Sequence, residues 1–400
     1  MARPEILFLA HRIPYPPNKG DKIRSWRTLK HLAESYEVHL CAFVDDPDDM
    51  RHRGVVEGVC KSVSLVSLSP LQAKLRSMTS LFSGEPLSFG YYRDRAMKRA
   101  VAKVQESGLA FQYAFSSTMA PYMEQHAAPC FVDLCDADSE KWHQYSNDAS
   151  FPMAQIYKRE AKTLARYESE MINQASASFA ISPDEAKILQ RTDVHKEVHW
   201  FGNGVDTEFF NPDADFSENE IKADVVFVGA MDYRANVDAI LWFVDEVWPK
   251  VRAQHASARF AIVGSNPSRS ILSLADHKDI IVTDRVADVR PYIAAAKAVI
   301  APMRVARGVQ NKVLEAMAMA APVVATAAAA EGLAVAEGED YLRADTPEAF
   351  AEKVSSLLNN EEEQRRLGNN ARRTVLEAYR WKAQLTRLDQ VIDNHLCART

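Results

Sequence analysis

Short apolar runs rich in Val, Ile and Phe alternate with longer stretches of helical period from one end of the chain to the other. Residues 6–10, 38–43, 63–68, 111–115, 130–134, 177–181 and 198–201 have the length and β-branched or aromatic character of strands buried on both faces. Helical patterns lie between them at 23–33, 93–105 and 153–174. A second series follows at 225–228, 260–263, 280–282, 299–301 and 323–325, with a helical pattern at 311–320. Strands that alternate with helices predict parallel sheets built from βαβ units. Two such series predict an α/β protein of two doubly wound, Rossmann-like domains, with ligands outside the carboxyl ends of the strands. Turn formers cluster at 203–222 (Asn203-Gly204, Asn211-Pro212-Asp213 and an acidic run to Glu220), which marks the boundary. The reading is therefore 1–205 for the first domain, 206–378 for the second, and a helical tail, 379–400, that returns to the first.

Composition narrows the class. A chain of 400 residues exceeds one ordinary core, and 47% hydrophobic with 26% charged residues is the balance of a globular protein. Glu5 interrupts the only apolar run near the start, and no stretch approaches the ~20 apolar residues of a spanning helix. Five scattered cysteines without CxxC spacing argue against a disulfide framework or structural zinc and fit a reducing cytoplasm. The net charge of −6 falls wholly after residue 205 and gives no support for a nucleic-acid partner. One segment runs against it. Residues 71–105 carry Lys74, Arg76, Arg93, Arg95, Lys98, Arg99 and Lys103 against Glu85 and Asp94, interleaved with Leu75, Met78, Tyr91 and Tyr92. That pattern suits an anionic membrane surface, and equally a solvated helix face.

The segment 304–326 carries the most chemistry. A buried strand ends at Pro302, a loop holds Gly308, and a helix follows with Val313, Leu314, Met317 and Ala318 as its apolar positions. A helix start after glycine offers free amides and a positive dipole end, a ready anion site. Arg304, Arg307 and Lys312 add charge around it, and Glu315 stands one turn further in, where a carboxylate could accept hydrogen bonds from a ribose diol. Many α/β proteins place a glycine before a helix, so these residues alone leave a plain turn open.

Their neighbours add a resemblance. The run of Lys312, Leu314-Glu315-Ala316-Met317-Ala318 and Pro322-Val323-Val324-Ala325 resembles the signature of the retaining GT-B glycosyltransferases of family 4. Asn203-Gly204-Val205-Asp206-Thr207-Glu208-Phe209-Phe210-Asn211-Pro212 is similar to the segment that links their domains. Phe227-Val228-Gly229, Ile262-Val263-Gly264 and Ala180-Ile181-Ser182 match in the family's order. His11-Arg12-Ile13-Pro14-Tyr15-Pro16-Pro17, running on through Gly20 and Arg24, together with Arg307-Gly308-Val309-Gln310-Asn311-Lys312, resembles a subgroup of bacterial sugar transferases that accompany exosortase/PEP-CTERM sorting and exopolysaccharide systems. The resemblance implies transfer of a hexosyl-type sugar from a UDP- or GDP-sugar, with retention, to a glycan or lipid-linked hydroxyl acceptor. It implies Glu315 on the donor ribose and the amides of Gly308 and Val309 on the β-phosphate, with Gln310 and Lys312 beside them. Gly264, Arg285 and Val286 would line the base pocket. Gly20 would admit the donor closely, Gly229 would lie with the donor-binding residues, and either Arg234 or Arg307 with Lys312 would stand in for the family's phosphate-binding bases.

The chain also departs from that pattern. Arg307 stands where the family has the first glutamate of its pair, and Cys135 where it has a histidine. The carboxylates that remain, Asp136 and Asp138, are the candidates to orient the acceptor hydroxyl or take its proton, with His11 as a second polar candidate. Asp138-Ser139 ahead of a short helix could instead be a cap. A phosphate site built from amides and bases needs no cation, so neither metal nor cofactor is predicted. Two other functions share the fold expectation: an epimerase acting on the nucleotide-sugar without an acceptor, and a scaffold that binds without turnover.

Overall fold

In the computed structural model the described residues are 3–17, 19–124, 128–216, 223–305 and 309–397. The chain forms two compact units, residues 1–202 with 385–400, and residues 203–384.

The first unit is built on seven parallel strands: β1 (Glu5–Ala10), β2 (Glu37–Val44), β3 (Ser62–Ser67), β4 (Phe111–Phe115), β5 (Cys130–Cys135), β6 (Ala177–Ala180) and β7 (Val198–Trp200), ordered β3-β2-β1-β4-β5-β6-β7. β1 pairs with β2 on one side (Ile6 opposite Val38) and β4 on the other (Ile6 opposite Phe111). The order therefore reverses between β1 and β4, the switch point at which such sheets open a crevice. Helices cover both faces, which is why the central strands bury nearly every residue. Those used below are α1 (Gly20–Ser35), α2 (Pro70–Ser83), α3 (Leu87–Tyr92), α4 (Arg95–Gln105), α5 (Asp138–Asp148) and α6 (Met153–Gln174). The helical pattern at 93–105 is broken at its start: Asp94 caps α4 through the amides of Ala96 and Met97, and Arg93 falls outside it.

The second unit has six parallel strands: β8 (Val225–Val228), β9 (Phe260–Val263), β10 (Ile280–Val282), β11 (Ala298–Ala301), β12 (Val323–Ala325) and β13 (Leu342–Arg343), ordered β10-β9-β8-β11-β12-β13. Its switch point lies between β8 and β11. The two-residue β13 is too short to give a hydrophobic run and escapes sequence reading. Helix α7 (Arg234–Trp242) shares this unit's core, α8 (Asn311–Ala318) packs on β11 and β12, and α9 (Glu361–Ala378) packs against α8. Gly204, the glycine of the linking motif, lies against the next segment of chain: a Cβ there would fall 2.6 Å from the Trp381 Cα. Helix α10 (Trp381–Cys397) joins the first unit from Leu385 onward. There Asp389 meets His31 at 2.8 Å, and the Arg387 guanidinium covers the Trp200 ring at 3.9 Å.

One buried ion pair ties the first unit together. Arg24 of α1 and Asp133 of β5 are 1% and 0% exposed. Arg24 Nε and Nη2 donate to the two Asp133 oxygens at 2.8 and 3.0 Å, while Nη1 donates to the Phe201 carbonyl at 2.8 Å. The guanidinium lies over the Phe201 ring at 3.6 Å, and the Tyr113 hydroxyl of β4 donates to Asp133 at 3.0 Å. A buried charge is tolerable only when paired and hydrogen-bonded, and here every guanidinium nitrogen donates. Removing one partner strands the other. Asp133→Asn or Arg24→Met is expected to cost about 3–5 kcal/mol in urea unfolding, and the joint replacement Arg24→Met with Asp133→Leu less than the two single losses together. Single losses under about 1 kcal/mol would show that the pair does not hold the unit.

Candidate functional site

Each sheet places predicted residues at its own switch point. In the first unit His11 follows β1, Ser116 follows β4 and Asp136 follows β5, and these line one pocket of about 270 Å³ together with Asp21, Asp138, Lys141 and Trp142. The three residues read from sequence as catalytic candidates thus share one cavity.

The partner of the two aspartates was not among the residues read from the sequence. Lys141, one turn into α5, bonds Asp136 at 2.6 Å and Asp138 at 3.2 Å. Burial opposes its charge, but Asp138 and Asp136 outweigh burial and hold the ammonium above its ordinary value. The capping role open to Asp138 falls elsewhere. Glu168 of α6 accepts from the Ser139 amide at 2.9 Å and hydroxyl at 2.6 Å, and Glu185 accepts from the Ala137 amide at 2.8 Å. With the helix start satisfied by others, Asp138 is left at the pocket. Cys135, before Asp136, adopts φ +63°, a left-handed conformation uncommon outside glycine. Its amide donates to Asp133 at 3.2 Å, which holds the turn. Burial and then the Asp133 charge push its thiol well above the usual range, so a neutral thiol stands where the resemblance led to a histidine.

His11 Nε2 lies 3.2 Å from Asp21 Oδ2, its ring stacks on Phe115 at 5.7 Å, and Nδ1 is enclosed without a hydrogen-bond partner among the described residues. Arg12 bonds the same Asp21 oxygen at 2.8 Å. Against burial, which would raise it, these two neighbours hold the Asp21 carboxyl far below the carboxylate range. Gly20 opens α1 with nothing within 4 Å of the place a Cβ would take, so no described protein atom demands glycine there.

In the second unit Gly229 follows β8 and Gly264 follows β9, and they touch. A Cβ on Gly264, whose φ is +152°, would fall 1.8 Å from the Gly229 carbonyl oxygen; one on Gly229 would fall 2.7 Å from Asn236 Nδ2. Both glycines are thus required by the protein's own packing. Lys312, in the first turn of α8, points back to this corner: its ammonium donates to Asn236 Oδ1 and lies 4.8 Å over the Phe227 ring. Asn236 is buried and donates in turn to the Ala230 carbonyl at 2.9 Å. No described carboxylate bonds Lys312, and burial pushes it down to about 8. Glu315, one turn on, is pushed up to about 7 by burial, with Lys312 opposing, and no described residue bonds its carboxylate. Asn236 was missed, because one asparagine in an apolar helix carries no motif. Arg304, read as free positive charge, is paired with Asp238 of α7 instead. Arg234 at the start of α7 and Arg285 after β10 are exposed, Val286 packs at the edge of the core, and Val309 and Gln310 lead into α8. Arg307 and Gly308 lie outside the described residues. Among the described residues no cluster of His, Cys, Asp or Glu is placed to hold a metal ion.

Gly264→Ala is expected to lower stability by at least about 2 kcal/mol through the left-handed backbone and the carbonyl overlap. Gly20→Ala should leave the thermal midpoint within a degree or two; equal effects would contradict the geometry.

Residues 222–360 match the family model described as glycosyl transferases group 1. Over 386 residues the chain is 21% identical to an uncharacterized 44.6 kDa protein in the cps region of Klebsiella pneumoniae, covering 94% of this chain and 96% of that one. Sucrose-phosphate synthase from Thermosynechococcus elongatus is similar in structure at a TM-score of 0.72, with 18% identity over 99% of this chain and 100% of that one. Anabaena HepE in complex with UDP is similar at 0.66, with 15% identity over 98% and 100%. These likenesses show the fold: GT-B, with two Rossmann-like units.

Proposed function

We propose that this protein is a retaining glycosyltransferase that moves a hexosyl-type sugar from a nucleotide-diphosphate donor to a glycan or lipid-linked hydroxyl in the synthesis of a bacterial surface polysaccharide. The observation that carries the reading is the family match across the segment that holds Lys312 and Glu315. The cps-region relative supports the polysaccharide role, and the UDP held by HepE supports a uridine nucleotide.

In this reading the second unit binds the donor. Lys312 is a desolvated ammonium held in place by Asn236 and lacking a counter-ion among the described residues, which suits a diphosphate. Glu315 accepts from the ribose hydroxyls. The bond from the sugar C1 to the diphosphate oxygen breaks, and the negative charge that develops on the departing diphosphate is stabilised by Lys312. The acceptor oxygen forms the new bond to C1 and gives up its proton. In the first unit the pocket at His11, Asp136 and Asp138 orients that hydroxyl, Asp136 is the candidate to receive the proton, and Trp142 offers an apolar face to a sugar ring.

The test is transfer from UDP- or GDP-sugars, with donor binding read separately by calorimetry. Glu315→Ala should weaken nucleotide binding about 10- to 100-fold, the worth of a charge-assisted hydrogen bond. Asp136→Asn should lower turnover with nucleotide binding retained. Sugar conversion without acceptor would favour the epimerase, and the absence of any nucleotide binding would sink the transferase. The pH dependence has a definite sign. The bound diphosphate needs a protonated Lys312, so affinity should fall as pH rises through and beyond about 8, and Lys312→Arg should shift that fall to higher pH.

A membrane contact through residues 71–105 belongs to the same proposal. On α2, Leu71, Leu75 and Met78 stand 77%, 67% and 58% exposed at helical spacing, with Lys74 among them. Among the described residues no helix is long and apolar enough to cross a membrane. Leu71→Gln with Leu75→Gln should reduce co-sedimentation with phosphatidylglycerol vesicles several-fold; unchanged sedimentation would reject the contact.

A further inference from the structure

The first unit holds a second and larger recess, of about 810 Å³, walled by α3, α4 and the segment after β4. It shares Tyr92 and Thr118 with the His11–Asp136 pocket, so the two adjoin at these residues. On its other side it shares Phe89, Pro121, Met123 and Tyr167 with an apolar slot of about 220 Å³ that runs on to Ala120, Val132, Met171 and Ala175. A polar pocket, a broad groove and an apolar slot therefore lie side by side.

The charge in the groove is uneven. Arg76 is held by Asp94 at 2.8 Å and Arg93 by Glu85 at 2.7 Å. Arg95, Lys98 and Arg99 have no carboxylate partner among the described residues. They occupy one face of α4, opposite the buried Met97 and Val101, and Ala102 continues that face and leaves it open. Three cations within one helical turn repel one another, and a compact anion of two or more charges removes that cost. The adjoining slot, by contrast, is lined mostly by aliphatic and aromatic side chains.

We propose that this recess binds a phosphate-linked apolar chain, the carrier of a lipid-linked acceptor. Its diphosphate lies against Arg95, Lys98 and Arg99, its chain enters the slot at Ala120 and Met171, and its sugar end passes Tyr92 to the His11–Asp136 pocket. The assignment rests on the transferase reading for its meaning, but the binding it describes is measurable without transfer.

Farnesyl diphosphate is the probe, titrated calorimetrically into the full chain at saturating UDP, so that the donor's phosphate site is filled. Lys98→Gln with Arg99→Gln should weaken it at least ten-fold with the thermal midpoint retained. Ala120→Phe should weaken farnesyl diphosphate while leaving inorganic diphosphate, expected to bind more weakly, unchanged. The proposal is overturned if the two ligands bind alike, or if the double Gln variant binds as the parent does. It is overturned equally if Lys312→Ala rather than the α4 changes removes binding, or if phosphatidylglycerol vesicles bind and the monomeric probe does not. UDP binding, measured first, shows separately whether the donor reading stands.

Discussion

A guanidinium and a carboxylate enclosed together at Arg24 and Asp133 constrain much of the first unit. Asp133 sits near the end of β5, where it accepts from Arg24, from Tyr113 and from the Cys135 amide. The last of these bonds holds Cys135 in its left-handed turn, and that turn delivers Asp136 and Asp138 to the pocket. The pair is costly to bury and worse to break, so its geometry is transmitted to the site as a fixed boundary. The register shift between Asp133 and Cys135 where β5 meets β6 is the same event seen from the neighbouring strand.

The second unit follows a different logic. Its corner is not braced by a saturated ion pair: among the described residues Lys312 bonds Asn236 and no carboxylate. Lys312 and Glu315 are both crowded by protein, and each is displaced toward its neutral form. Burial without a close partner is unfavourable, and in the proposed donor-binding reading an anion at the ammonium and hydroxyls at the carboxylate would relieve it. Asn236, itself anchored to Ala230, keeps the ammonium from folding away to solvent, while the contact between Gly229 and Gly264 holds the strand ends beneath it. In that reading stability and readiness to bind are opposed, as expected where binding groups are preorganised.

The alternation of apolar runs and helical periods made both sheets legible, because a parallel strand covered on two faces has no choice but to be hydrophobic. The first unit's switch-point residues were legible for a related reason: in a doubly wound sheet the loops after the strands are the crevice, so His11 and Asp136 could be placed from strand ends, while Gly229 came through the family resemblance. What escaped depends on tertiary meetings that leave no local pattern. Arg24 and Asp133 are 109 residues apart, and neither stands in a repeat that announces the other. Lys312 meets Asn236 from 76 residues away. The reading of Arg304 as free charge failed because Asp238, on another helix, neutralises it. The pairing of Lys141 with two carboxylates was within reach, since the three lie within six residues, but helix start and pocket look alike in a sequence.

Helix α6 carries Glu160 and Glu168 on one face, eight residues apart, both fully buried. Glu160 receives the amides of Leu87 and Ser88 at the start of α3, and Glu168 those of Ser139 and its hydroxyl at the start of α5. One rod thus seals the entrances of two separate helices, one beside the basic groove and the other beside the carboxylate pocket. Neither entrance can fray by withdrawal of its carboxylate unless the rod itself lifts, and when it lifts both are released together. In hydrogen exchange these three amides would then report a single cooperative opening rather than two local ones, and the floor under both halves of the surface would behave as one mechanical part.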